Sequence, residues 1–151
     1  MGRNRQRQPG NQLRIPEQDL RIIIQGNDIE SAAKTVEWAE KLGGDLAYKK
    51  LTTSQIRTIF GQVRQIEMNW PLNDVASPRA TAARRDLLLL KPKLAYQAKR
   101  EAERGKRALD DLVQNLTPAI DLVGDSRENF QRFVDFFEAI LAYHKAAGGK
   151  D

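Results

Sequence analysis

The residues Phe130, Phe133, Val134, Phe137, Ile140 and Leu141 recur at intervals of three and four, which gathers them on one face of a helix and would scatter them over both faces of a strand. The same spacing appears in Ile56, Ile59, Phe60, Val63 and Ile66, and again in Leu109, Leu112, Val113, Leu116 and Ile120. A weaker version runs through Ile29, Ala32, Ala33, Val36, Ala39 and Leu42. Alternating β-branched runs and hairpin dipeptides are scarce; only Arg21-Ile22-Ile23-Ile24 reads as either a short strand or a helical turn. The expected fold is therefore all-α: an elongated bundle of about five helices with a flexible N-terminal arm.

Local signals punctuate these helices. Thr52 and Gln55 form a capping box, with Leu51 and Ile56 as its hydrophobic staple, and the pattern stops near Trp70-Pro71. Gly43-Gly44 is expected to end the preceding helix, Gly124 a later one and Gly148-Gly149 the last. Asp125 with Glu128 reads as an Asp-type capping box for that last helix. Pro92 and Pro118 fall inside helical patterns, where proline removes a backbone bond and crowds the carbonyl four residues back, so a kink or break is expected at each. The opening residues 1–14 lack apolar periodicity and are rich in Arg, Gln, Asn and Gly, which places a basic arm over 1–27 and a single helical domain over 28–151.

Charge is distributed unevenly. Residues 79–107 hold 10 basic and 3 acidic groups, net +7, which exceeds the +5 of the whole chain, whereas 108–151 hold 4 basic and 8 acidic, net −4. A polarised surface follows. If 93–107 is helical, Lys93, Arg100, Arg104 and Arg107 form one stripe opposite Ala95, Ala98 and Ala102, with Tyr96 and Gln97 alongside. Cations at such spacing suit a phosphate backbone, and the aromatic ring suits stacking on a base. Lys50, Arg57, Arg64, Arg84 and Arg85 would extend that surface if the helices pack suitably. The competing reading is a solvated helix face partly neutralised by Glu101 and Glu103. A helical protein-protein adaptor and a nonspecific nucleic-acid binder, including a nucleoid-type DNA binder, stay open on these grounds.

Catalytic equipment is sparse. The chain has no Cys, so it carries neither disulfides nor thiolate metal sites, and it has no glycine-rich phosphate loop. His144, the only imidazole, is read as a surface or partner-contact residue rather than a general base. Asp110 and Asp111 diverge by about 100° on a helix and read as solvated carboxylates, not a metal site. Trp38 and Trp70 read as core or interface. No enzyme activity, cofactor or metal is expected. Polar residues follow Arg3, Arg5 and Arg7 where a signal peptide would place its apolar stretch, so a soluble, cytoplasmic protein without membrane contact is expected.

Three stretches together resemble the small subunit of type III-A CRISPR effector complexes, the Csm small subunit family. They are Leu51-Thr-Thr-Ser-Gln-Ile-Arg57, Leu90-Lys-Pro-Lys-Leu-Ala-Tyr-Gln-Ala-Lys-Arg100 and Phe133-Val-Asp-Phe-Phe-Glu-Ala-Ile-Leu-Ala-Tyr-His-Lys145. The resemblance implies a non-catalytic helical protein present in several self-associating copies, stacked beside RAMP-type backbone subunits with a large polymerase-like subunit at one end. It implies contact with CRISPR RNA and target RNA, and it transfers that role to Arg57, Lys91, Lys93, Tyr96 and Arg100.

Overall fold

A computed structural model describes residues 12–72 and 77–151. Six helices follow in order: α1 (Glu17–Gln25), α2 (Asp28–Tyr48), α3 (Thr53–Asn69), α4 (Pro78–Glu103), α5 (Ala108–Val123) and α6 (Arg127–Ala146). There is no strand among the described residues. The all-α bundle is as expected, with one helix more than the apolar pattern suggested.

The additional helix is α1, and it corrects the arm expected over 1–27. Arg21–Ile24 is a helical turn whose Ile23 and Ile24, with Leu20, are buried. Ile15 is also buried; its N–H donates to Asn115 Oδ1 at 2.9 Å, while Asn115 Nδ2 donates to the Leu13 carbonyl at 2.8 Å. Residues from Leu13 onward therefore belong to the packed body, and the part of the expected arm in 1–11 lies outside the described residues.

Helix α6 is the centre of the bundle. Phe130, Phe133, Phe136, Phe137 and Ile140 are fully enclosed, and α6 packs against α1, α2, α3 and α5. Trp70 stacks on Phe130 at 4.9 Å between ring centroids, and Phe60 meets Phe137 edge-on at 5.1 Å. Such pairs add geometric preference to the area they bury. Phe136 was missing from the expected face, whereas Leu141 is only partly buried. Helix α4 lies over α3 and α5 and presents most of its circumference to solvent.

The capping box of α3 is present: Thr52 Oγ1 accepts from Gln55 N at 3.1 Å, and Gln55 Oε1 accepts from Thr52 N at 3.0 Å. The cap of α6 sits one residue later than expected, because Ser126, not Asp125, accepts from Asn129 N at 3.0 Å. Neither proline breaks its helix. At Pro92 the reason is local: the proline is exposed and Leu88, whose carbonyl loses its donor, is 55% exposed, so water can replace the missing bond.

Two expectations for α2 are overturned. The helix does not end at Gly43-Gly44 but runs on to Tyr48. Its inner face is also rotated: Ile29 is 79% and Val36 50% exposed, while Ser31, Ala39, Leu42, Asp45 and Leu46 are buried. Gly43 explains both. A Cβ there would stand 2.8 Å from His144 N and Tyr143 Cβ and 2.9 Å from the Ile140 carbonyl, so α2 and α6 touch backbone to backbone. That contact dictates which side of α2 faces inward.

His144, expected at the surface, is completely buried; its Nε2 donates to the Leu51 carbonyl at 2.6 Å. Gly149 folds over the ring, where a Cβ would lie 2.1 Å from Cε1, and the Lys150 carbonyl accepts from Thr53 N at 2.9 Å. The imidazole thus ties the end of α6 to the start of α3.

Three helices end in Schellman motifs. After α4 and α6 the left-handed residue is glycine, Gly105 at φ 82° and Gly148 at φ 96°. After α2 it is Lys50 at φ 69°, with Lys50 N donating to Ala47 O and Leu51 N to Leu46 O, both at 3.0 Å. A side chain in this conformation costs about 1 kcal/mol relative to glycine.

The two adjacent glycines of α2 therefore separate helix propensity from packing. Gly43→Ala is expected to lower stability by about 1–3 kcal/mol through overpacking, although alanine is the better helix former. Gly44, where a Cβ meets nothing within 4 Å, should gain up to about 1 kcal/mol on the same change. Urea denaturation of the two variants checks both signs.

Candidate nucleic-acid interface

Helix α4 sorts the expected cations by flank. Buried Leu87, Leu90, Leu94 and Ala98 fix its inner line, and the helical period then sets Lys93, Arg100 and Arg104 together on the flank toward α3. Lys93 and Arg100 are exposed, and no ion pair engages either among the described residues. Arg104 is exposed and stands 3.7 Å from Glu101. Tyr96 is 64% exposed on the outer face, with the Arg100 guanidinium 5.8 Å from its ring centroid.

Other expected members fall elsewhere. Arg107 leaves the stripe, because α4 ends at Glu103 and Gly105 turns the chain before α5. Lys91 lies on the opposite flank, paired with Asp121 of α5. Arg84 shares that flank and is half-buried, and Arg85 points outward 3.8 Å from Asp86. On α3, Arg57 and Arg64 are both exposed; Arg57 has no ion pair among the described residues, while Arg64 is held 2.8 Å from Glu67. The structure brings Lys93, Arg100 and Arg104 together and separates Lys91 and Arg84 from them.

A cleft of about 190 Å³ lies between α3 and α4, bounded by Gln55, Ile59, Gln97, Arg100, Glu101 and Leu109. It adjoins a wider one of about 480 Å³ that shares Gln55, Glu101 and Leu109 and adds Lys50, Lys106 and Arg107. The sequence pattern had not joined these groups, since Lys106 and Arg107 belong to a turn and Lys50 to another turn far away in the chain. The one available signal was Gly105, a helix stop directly before two cations.

Lys49, the neighbour of Lys50, is committed internally. Its Nζ sits 2.6 Å from Asp111 and 3.0 Å from Asp45, and both carboxylates are buried. Burial works to lower its pKa, but the hydrogen bonds to Asp111 and Asp45 outweigh it and hold the ammonium above the ordinary value of 10.5. Asp111 is therefore a buried partner and not the solvated carboxylate expected, and Asp110 bonds Gln12 and Gln114 instead. Among the described residues, no group of three His, Cys, Asp or Glu side chains could hold a metal ion, and no helix is long and apolar enough to cross a membrane.

Replacing Lys49 with Met would leave two buried carboxylates without their cation and should cost about 3 kcal/mol in chemical denaturation. Because the folded-state pKa is raised, the ion triad stabilises fully below the unfolded lysine value and is lost as pH climbs through the raised one. The wild-type denaturation midpoint should consequently drop on the alkaline side of pH 10.5, and the K49M midpoint should respond less there.

Comparison with known proteins adds two findings. A family model described as Csm2 Type III-A matches residues 29–150. The chain is 28% identical over 141 residues to the CRISPR system Cms protein Csm2 of Streptococcus thermophilus, an alignment covering 87% of this chain and 100% of that protein. No solved structure matches the chain significantly.

Proposed function

The chain belongs to the Csm2 Type III-A family, a subunit of a type III-A CRISPR complex, and from that premise we propose that it is a non-catalytic RNA-binding subunit lining the groove that holds guide and target RNA. Several copies stack beside RAMP-type backbone subunits, with the large polymerase-like subunit at one end. The observation that supports this reading is the flank of α4, where Lys93 and Arg100 are exposed, with no ion pair to either among the described residues, beside Arg104 and an exposed Tyr96. Cations held on a rigid helix displace counterions from a phosphate backbone without reading its sequence. Arg57 on α3 and Lys50 at the adjoining turn widen the same positive field, and Arg64, Arg84, Arg85 and Lys91 contribute to it less, being paired or partly buried. Repetition of a modest surface along one RNA multiplies its effect through effective concentration.

A second reading, contact with protein, is favoured by α2. Ile29, Ala32, Ala33 and Val36 form an exposed apolar stripe that no described residue covers. The two readings use different faces and are compatible in an assembly.

The combined variant Lys93→Glu, Arg100→Glu, Arg104→Glu, built into the reconstituted complex, should bind target RNA at least tenfold more weakly. The slope of log affinity against log salt should become shallower by about 0.7 for each single-strand phosphate that the variant no longer neutralises. Unchanged affinity and slope would reject this flank as the RNA surface, and preference for duplex DNA in competition would favour a DNA-binding role.

A further inference from the structure

We infer that the adjoining clefts between the start of α3 and the α4–α5 turn form a subsite for a single RNA nucleotide, with Lys50, Lys106 and Arg107 on its phosphate and its base seated against Gln55, Gln97 and Glu101. The inference deepens the RNA reading above and rests on it.

Lys50 carries the argument. The Schellman endings of α4 and α6 place glycine at the left-handed position, and only the ending of α2 places a side chain there. The two Schellman bonds would form equally well with glycine at this position, so they do not call for a lysine: Lys50 is exposed, and no ion pair among the described residues engages it, unlike Lys49 beside it. Lys50 is instead one of the residues that line the cleft. Backbone strain retained where a less strained residue would serve marks a position selected for something other than stability.

The opposite wall repeats the charge. Lys106 and Arg107 are exposed on the turn that Gly105 makes possible, and neither has an ion pair among the described residues. Three cations thus converge on a cleft whose one carboxylate, Glu101, already faces Arg104 at 3.7 Å. This arrangement suits a phosphate group.

The narrower cleft supplies the other half of a nucleotide. Ile59 and Leu109, both largely buried, give it a small apolar floor, and Gln97 offers an amide with both donor and acceptor. Gln55 has its Oε1 engaged by Thr52, which leaves its NH₂ as a donor, while Glu101 is an acceptor. An apolar floor with polar groups at the rim receives one unstacked planar base, chiefly by hydrogen bonds to its edge. A duplex, whose bases are already stacked and paired, could not enter.

The test uses the reconstituted complex loaded with target RNA, irradiated at 254 nm, with adducts mapped by mass spectrometry and K50G as the diagnostic variant. In the wild type, adducts are expected on peptides containing 50–59 and 97–109 of this chain. K50G should melt about 2–4 °C higher as purified full chain, because the strain is relieved, yet lose most of the adduct. Lys106→Gln with Arg107→Gln should lose it as well, without that gain in stability. Adducts confined to Tyr96 and Lys93, or unaffected by K50G, would overturn the subsite while leaving the RNA reading intact. If the triple Glu variant of α4 also leaves RNA affinity unchanged, both fail together. Free AMP that stabilises the full chain against heating, with no RNA adduct in the complex, would assign the cleft to a soluble nucleotide and overturn the RNA assignment.

Discussion

The contact on which the rest of this bundle depends is the backbone approach of α2 to α6 at Gly43. With no side chain between them, the two helices lie close enough for the Gly43 Cα to rest among Ile140, Tyr143 and His144. That fixes the rotation of α2 and the position of His144, and His144 in turn holds the Leu51 carbonyl. The start of α3 is thereby set relative to the end of α2, and the turn containing Lys50 is left projecting between them. A surface feature on one side of the molecule is in this way determined by a helix–helix contact in its interior.

Charge is handled in two opposite ways in neighbouring residues. Lys49 is drawn inward and bound by Asp45 and Asp111, which fastens the end of α2 to the start of α5. Lys50 is turned outward by a left-handed backbone and keeps its charge for solvent or a ligand. A count of cations cannot distinguish them, because what differs is desolvation: a buried ammonium needs carboxylates close by, whereas an exposed one needs nothing. The same division applies on α4, where Lys91 meets Asp121 across the α5 flank and Lys93, two residues on, meets no acid among the described residues.

Much of the fold was legible in the sequence because it rests on local rules. The aromatic spacing of α6, the capping box at Thr52 and the stop at Gly124 each depend on residues within a turn or two of one another. What was not legible depends on partners distant in the chain. Gly43-Gly44 looked like a terminus because the close approach of α6 cannot be seen locally, and the misassigned face of α2 follows from the same blindness. His144 looked peripheral because its acceptor, the Leu51 carbonyl, is 93 residues away. The candidate interface divides likewise: that Lys93, Arg100 and Arg104 share one flank follows from helical period alone, but that Lys50, Lys106 and Arg107 border one cleft depends on the packed structure.

The first turn of a helix usually leaves its N–H groups to water, where they exchange readily as the end frays. At α3 the amide of Thr53 is instead sealed by the Lys150 carbonyl, and the Thr53 side chain is buried beneath it. Hydrogen–deuterium exchange at this single amide would therefore follow the detachment of residues 149–150 from the body and not the fraying of α3. One backbone proton at the edge of the molecule becomes a local gauge of whether the two ends of the α3–α6 layer are still latched.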